Sequence, residues 1–112
     1  MPEPGVVAGL PTPFAEGVRE LVAQIPHGRV VAYGDIAELL GSGGARAVGT
    51  VMARFGSDLP WWRVVRSDGR PPRCHEDRAL EHYRAEGTPL VGSARSGRRV
   101  DMARARWLGS DG

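Results

Sequence analysis

The tract Gly41-Ser42-Gly43-Gly44 constrains the fold of this chain more than any other. It separates two short stretches with helical apolar spacing, Asp35 to Leu40 and about Ala45 to Phe55. A helix does not run through such a tract, because each glycine costs about 1 kcal/mol relative to alanine in a helix interior. The chain must therefore turn there. The first stretch predicts a short helix with Ile36, Leu39 and Leu40 on its buried side and Gly41 as the residue just past its end. The second places Val48, Val51, Met52 and Phe55 at offsets 0, 3, 4 and 7, which is one helical face. Two short helices across a glycine-containing turn match a helix-turn-helix. Taken alone, the pattern also fits helical hairpins that bind nothing.

The flanks extend this reading. Thr12-Pro13 reads as an N-cap followed by proline at the first helical position. Phe14, Val18, Leu21, Val22 and Ile25 then fall on one face, and Pro26-His27-Gly28 ends that helix. The Pro60 segment is expected to be extended up to Val65. Ser67-Asp68-Gly69 reads as a turn and Arg70-Pro71-Pro72-Arg73 as a stiff basic loop. His75 to Glu86 predicts a helix burying Leu80 and Tyr83 and closed by Gly87. The Gly/Ser/Arg stretch from Gly92 to Arg99 reads as a mobile loop, and Val100, Met102 and Trp107 bring the tail back onto the core. Residues 1–11 lack periodicity and read as a flexible arm, leaving one domain over residues 12–108 in a chain of 112. The fold class is mainly α: a small single domain with a winged-helix-like helix-turn-helix.

Composition excludes several function classes. No apolar run approaches about 18 residues and no charged-then-apolar leader is visible, so the expectation is a cytoplasmic protein without a membrane partner. Cys74 is the only cysteine, which rules out an internal disulfide or an all-cysteine metal site. There is no phosphate-binding Gly-Lys motif, no dinucleotide fingerprint and no zinc-binding His-Glu-x-x-His, so neither cofactor nor metal is expected. Cys74-His75 puts a thiol beside a base, but adjacent side chains seldom point productively at one another.

All 15 basic residues are arginine, against a net charge of only +2. A GC-rich coding bias, which also favours the 16 glycines, explains this at least as well as a selected surface does. An anionic partner must then be held by a local patch and not by a global field. Arg46 stands in the first turn of the third helix among Gly44, Ala45, Ala47 and Gly49. Such small residues permit either close approach to a nucleic-acid groove or close helix packing. Arg54, Arg63, Arg66, Arg70 and Arg73 follow, and would supply phosphate contacts if they share a face. In an extended segment the neighbours Trp61 and Trp62 would point to opposite sides, one into the core and one into a cleft. An indole beside arginines suits an unstacked base.

Five pieces in order carry a resemblance: Ile25-Pro26-His27-Gly28, Tyr33-Gly34-Asp35-Ile36-Ala37, Ala45-Arg46-Ala47-Val48-Gly49, Pro60-Trp61-Trp62-Arg63-Val64 and Glu86-Gly87. From about Phe14 to Trp107 the chain resembles the C-terminal domain of O6-alkylguanine-DNA alkyltransferases. More closely it resembles the alkyltransferase-like proteins, which have tryptophan in place of the reactive cysteine. The resemblance implies that Arg46 fills the gap left by an extruded base, and that Gly44, Ala45, Ala47 and Gly49 let the recognition helix lie in the minor groove. It implies that Tyr33 crowds the target phosphate, that the Val64 backbone carbonyl reads the guanine amino group, and that Trp61 stands in the nucleophile's place. Trp62 stands where the alkyltransferases have a histidine base, and Phe55 about where the family often has a hinge asparagine. The loop from Arg70 to Cys74 lacks the family's tyrosine-containing stretch, so its contacts to the O6 atom do not carry over. Arg73 is the candidate to face the flipped base.

The implied activity is non-enzymatic. A monomer binds O6-alkylguanine in double-stranded DNA by nucleotide flipping and marks it for nucleotide-excision repair, which implies a protein partner from that pathway. Arg54 joins Tyr33, Gly44, Ala45, Arg46, Ala47 and Gly49 as a DNA contact. Tyr33, Trp61, Trp62, Arg63, Val64 and Arg73 make up the expected lesion pocket. Two rivals remain at this point: a helix-turn-helix regulator of undamaged sequence, and residual alkyl transfer to Cys74.

Overall fold

The computed structural model describes residues 12–109, and the expected arm at 1–11 lies outside them. Helix α1 spans Pro13–Ala23; Thr12 caps it by accepting the Ala15 amide at 3.2 Å, with proline at the first position. Its face of Ala15, Val18 and Val22 is buried. After the Gly28 turn, strand β1 (Val31–Ala32) leads directly into α2 (Tyr33–Leu40). Gly41 ends α2 in the left-handed conformation, and α3 follows over Gly44–Phe55. The two helices pack on each other and on α1, which is the helix-turn-helix arrangement expected.

At the turn Gly43 has φ +90°, and a Cβ there would lie 2.5 Å from the Phe14 ring. Only glycine lets α1 close over this turn. On α2, Ile36 and Ala37 are buried, whereas Leu39 is 45% exposed, contrary to its expected place in the core. Consecutive helical residues are rotated by about 100°, so Leu40 turns toward α1 beneath Gly17 and Leu39 faces outward.

The segment after Pro60 is not extended as expected. Trp61–Arg63 forms a single 3-10 turn (η1), and only Val64–Val65 is strand, β2, which pairs in parallel with β1 through Val31–Val64 and Ala32–Val65. The Arg63 amide donates to the Pro60 carbonyl at 3.0 Å and closes the turn. Helix α4 covers Glu76–Glu86 and ends in left-handed Gly87. It buries Ala79 and Tyr83, while Leu80 is only partly covered. The expected loop at 92–99 is instead the turn of a hairpin, with β3 (Leu90–Val91) antiparallel to β4 (Arg99–Val100). Ser93 and Ser96 exchange hydrogen bonds between each hydroxyl and the other's amide at 3.0 and 3.1 Å. A last short helix, α5 (Met102–Ala105), returns the chain to β1, where the Trp107 amide donates to the Val30 carbonyl at 2.8 Å.

Two apolar clusters result. One joins α1, α2, α3, β1 and Trp107; the other joins Val30, Val65, Ala79, Tyr83, Val100 and Ala105. Asp35 links the N-terminus of α2 to the tail. It accepts the Ala32 amide at 3.1 Å and two hydrogen bonds from Arg106 at 2.9 and 2.5 Å. Burial opposes ionisation of Asp35, but the bonds from Arg106 and Ala32 outweigh it and hold the carboxyl below its ordinary range.

The 67–69 turn is docked on the hairpin through Gly69. Its carbonyl accepts the Val100 amide at 2.9 Å, its φ is +89°, and an added Cβ would lie 2.2 Å from the Val100 oxygen. Gly69→Ala is therefore expected to destabilise the fold by about 1–3 kcal/mol in urea unfolding, through the strained φ and the displaced strand.

Candidate nucleic-acid interface

The 3-10 turn sends its three side chains to three different environments. In a helix of this kind successive residues are about 120° apart, so the indoles are not on opposite faces as they would be in a strand. Arg63 points inward and is 7% exposed. Its Nη1 donates to the Ile25 carbonyl at 2.9 Å and its Nη2 to Glu86 Oε2 at 2.7 Å. Glu86 also accepts the Trp62 indole N–H at 2.8 Å and the Gly28 amide at 3.1 Å. One carboxylate at the end of α4 thus fixes the 3-10 turn and the α1–β1 turn together. Burial disfavours its charge, yet the bonds from Arg63, Gly28 and Trp62 more than compensate, and Glu86 titrates below its ordinary range.

Trp62 is held flat. Its ring stacks on His82 with centroids 3.6 Å apart and planes 4° from parallel, and its carbonyl accepts the Tyr83 hydroxyl at 2.6 Å. Trp61 stands edge-on to Trp62, with centroids 5.6 Å apart. His75 and His82 lie against it at 5.5 and 5.8 Å, and the Arg78 guanidinium sits 5.5 Å from its ring centre.

Trp61 closes one side of an open cleft of about 320 Å³. Tyr33 contributes from the start of α2, Gly49, Met52 and Ala53 from α3, and Pro72, Arg73 and His75 from the loop before α4. The volume lies at the lower end of the range of small-molecule sites, about 300–1,000 Å³. Burial pushes the Tyr33 phenol up, against the opposing charge of Arg66, so it stays protonated at neutral pH.

Helix α3 presents a smooth face here. Arg46, Gly49 and Ala53 lie within about 60° of one another around its axis, so Arg46 heads the stripe whose later turns wall the cleft. A Cβ at Gly44 or Gly49 would meet nothing within 4 Å. Close helix packing therefore does not require glycine at either position, although the left-handed φ of +71° at Gly44 favours it there. Arg46 is exposed and makes no side-chain ion pair or hydrogen bond among the described residues. It occupies the first turn of a helix with no acidic residue there, against the helix dipole. Helix stability does not account for its position.

The expected pocket is only partly assembled at this cleft. Tyr33, Trp61 and Arg73 line it; Trp62, Arg63 and Val64 do not. The Arg63 guanidinium is consumed by Glu86, and Val64, in the strand beside β1, is fully buried in the core. The five arginines proposed to share a face are likewise divided. Arg63 is internal, Arg66 donates to the Pro71 carbonyl at 3.1 Å, and Arg70 lies 3.5 Å from Asp68. Arg54 is exposed in the last turn of α3, beside the Phe55 ring. His75 and Arg78 join the cleft although sequence reasoning did not select them. The spacing of Arg78 on α4 was the available signal, but it points to a cleft only once Trp61 is placed. Cys74 is exposed at φ +71° between two lining residues and is not itself in the lining.

The sequence profile described as "6-O-methylguanine DNA methyltransferase, DNA binding domain" matches residues 13–88. The chain belongs to this family. Within the methyltransferase family, it is 41% identical over 99 residues to the DNA base-flipping protein of Escherichia coli K12, covering 84% of this chain and 74% of that protein. It is 29% identical over 101 residues to alkyltransferase-like protein 1 of Schizosaccharomyces pombe, covering 84% and 94%. The crystal structure of that yeast protein with damaged DNA containing O6-carboxymethylguanine superposes with a TM-score of 0.73 at 28% identity, over 84% of this chain and 94% of the other. The O6-methylguanine-DNA methyltransferase of Pyrococcus kodakaraensis gives a TM-score of 0.60 at 32% identity, with 69% of this chain matching 47% of the enzyme. Among the described residues no helix is long and apolar enough to cross a membrane.

Removing Glu86 leaves the buried Arg63 charge unpaired and frees the Trp62 indole N–H. Glu86→Ala is expected to lower stability by about 3–5 kcal/mol in urea unfolding, with a change in tryptophan fluorescence before the main transition. A loss no larger than about 1 kcal/mol, as for an exposed pair, would remove Glu86 as the organiser of this site.

Proposed function

We propose that this protein binds O6-alkylguanine in duplex DNA, turns the damaged nucleotide into the Trp61 cleft, and holds it there without reaction. The observation that carries the reading is an indole walling the cleft where a methyltransferase needs a nucleophile. The indole nitrogen's lone pair is delocalised into the ring, so Trp61 is no nucleophile for alkyl displacement and the lesion persists in the complex. The DNA-binding relatives that flip bases or hold damaged DNA support the same reading.

The roles follow from placement. The small residues Gly44, Ala45, Ala47 and Gly49 let α3 lie close in the groove, and Arg46 enters the stack vacated by the extruded base. Extrusion costs a few kcal/mol, least where alkylation has already weakened pairing, and Arg46 offsets part of that cost. Tyr33 crowds the target phosphate, and its protonated phenol adds no repulsive charge. Trp61 offers an aromatic wall to the alkyl group, and Arg73 faces the base with its cation. Arg63 and Trp62 act as supports for Trp61, and Val64, fully buried and outside the cleft lining, serves as part of the β2 support and not as a base contact. Arg54 contacts phosphate. A monomer marking the lesion for a nucleotide-excision repair protein in the cytoplasm completes the proposal.

Fluorescence anisotropy with matched duplexes carrying guanine or O6-methylguanine tests it. The lesion duplex is expected to bind more tightly, with both affinities falling as salt rises. Arg46→Ala is expected to weaken lesion binding by about 1–3 kcal/mol, roughly five- to 150-fold. Equal affinity for the two duplexes would make the protein a general DNA binder. Mass spectrometry after incubation with O6-methylguanine DNA should find no added methyl group; a gain at Cys74 would restore the transferase reading.

A further inference from the structure

A second cleft, of about 370 Å³, shares no lining residue with the first. Its floor is Pro71 and Leu80, and its rim carries Arg66, Arg70, Arg84 and Arg98. One side is the loop after β2, one is α4, and the third is the turn of the β3–β4 hairpin, which contributes Ala94.

The charge balance is one-sided. Glu76 is the only carboxylate in the lining, and its nearest approach to Arg66 is a loose 4.0 Å. Arg84 and Arg98 are exposed and, among the described residues, make no side-chain hydrogen bond or ion pair. Leu80 is incompletely covered by the core, so part of a leucine side chain faces the floor between these cations. An apolar floor ringed by four guanidinium groups, two of them (Arg84 and Arg98) without a side-chain partner among the described residues, is the complement of a short acidic segment with one apolar side chain at its centre. A DNA backbone would satisfy the arginines but would leave Leu80, Pro71 and Ala94 without an apolar partner.

The two clefts lie on opposite faces of α4. Arg78 packs on Trp61 in the first, whereas Glu76, Leu80 and Arg84 form an i, i+4, i+8 row rotated about 160–240° from it. An occupant of the Trp61 cleft therefore does not cover the second one.

We propose that the cleft between α4, the 66–71 loop and the β3–β4 hairpin docks an acidic, apolar-centred segment of a partner protein while the Trp61 cleft is occupied. The docking surface goes beyond the lesion reading and stands whether or not that reading holds.

The test uses the full chain and a fluorescein-labelled peptide with a central leucine flanked on each side by glutamates. Saturable binding at low salt is expected, weakened at least about tenfold by the charge reversal Arg84→Glu/Arg98→Glu and, independently, by Ala94→Glu in the cleft. All three positions are exposed, so thermal melting should show folded variants. Replacing the central leucine of the peptide with serine should also weaken binding, since the floor would lose its partner. Saturating duplex DNA should leave peptide binding unchanged, and the variants should keep wild-type DNA affinity. No saturable binding, or equal binding to the charge-reversed protein, would overturn the proposal. Displacement of the peptide by DNA, together with weakened DNA binding in Arg84→Glu/Arg98→Glu, would reassign the cleft to the nucleic acid.

Discussion

The arrangement of the Trp61 cleft depends on the Glu86 carboxylate. It joins the end of α4 to the 3-10 turn through Arg63 and Trp62, and to the α1–β1 turn through the Gly28 amide. Arg63 and Glu86 are both nearly removed from solvent, with side chains 9% and 8% exposed. Charges so placed persist only when every strong donor and acceptor is matched. Arg63 meets this condition by also reaching the Ile25 carbonyl, and among the described residues no buried side-chain polar atom is left without a partner. With Arg63 anchored inward and Trp62 stacked on His82, Trp61 has one direction left, toward the cleft.

The opposite wall follows a different logic. Helix α3 is stabilised by Val48 and Val51 in the core, and its outer stripe carries little that stability requires. Glycine at position 49 leaves open space where a side chain would fit, and Arg46 opposes the helix dipole. Residues chosen against local stability suit a surface whose favourable contacts come from a ligand. The rigid wall of aromatic rings and the bare wall of α3 face each other across the space between them.

Charge is partitioned just as sharply. The net charge is small, yet the arginines include a buried one at Glu86, a tail anchor at Asp35, Arg46 and Arg54 without an ion pair among the described residues on α3, and a ring around the second cleft. Local fields of this kind act within about a Debye length, near 10 Å at moderate salt. Separate clefts can therefore recognise separate anionic partners on so small a domain.

The local elements were legible in the sequence because their causes are local. Apolar spacing set α1 and α3, Thr12-Pro13 and Gly87 set helix ends, and the Gly41–Gly44 tract forced the turn between α2 and α3. The family resemblance and the missing nucleophile at Trp61 were equally visible, since both are statements about residue identity. The two-residue strands of the β3–β4 hairpin were not visible, being too short to show alternation within a Gly/Ser run. Neither was the 3-10 turn at Trp61–Arg63, nor the removal of Arg63 from the cleft. Those depend on a carboxylate that lies 23 residues further along the chain. Nothing local tells an arginine which distant acid will take it out of water. Sequence alone therefore determined which chemistry this protein lost, and tertiary structure decided which side chains stand around the space that chemistry left.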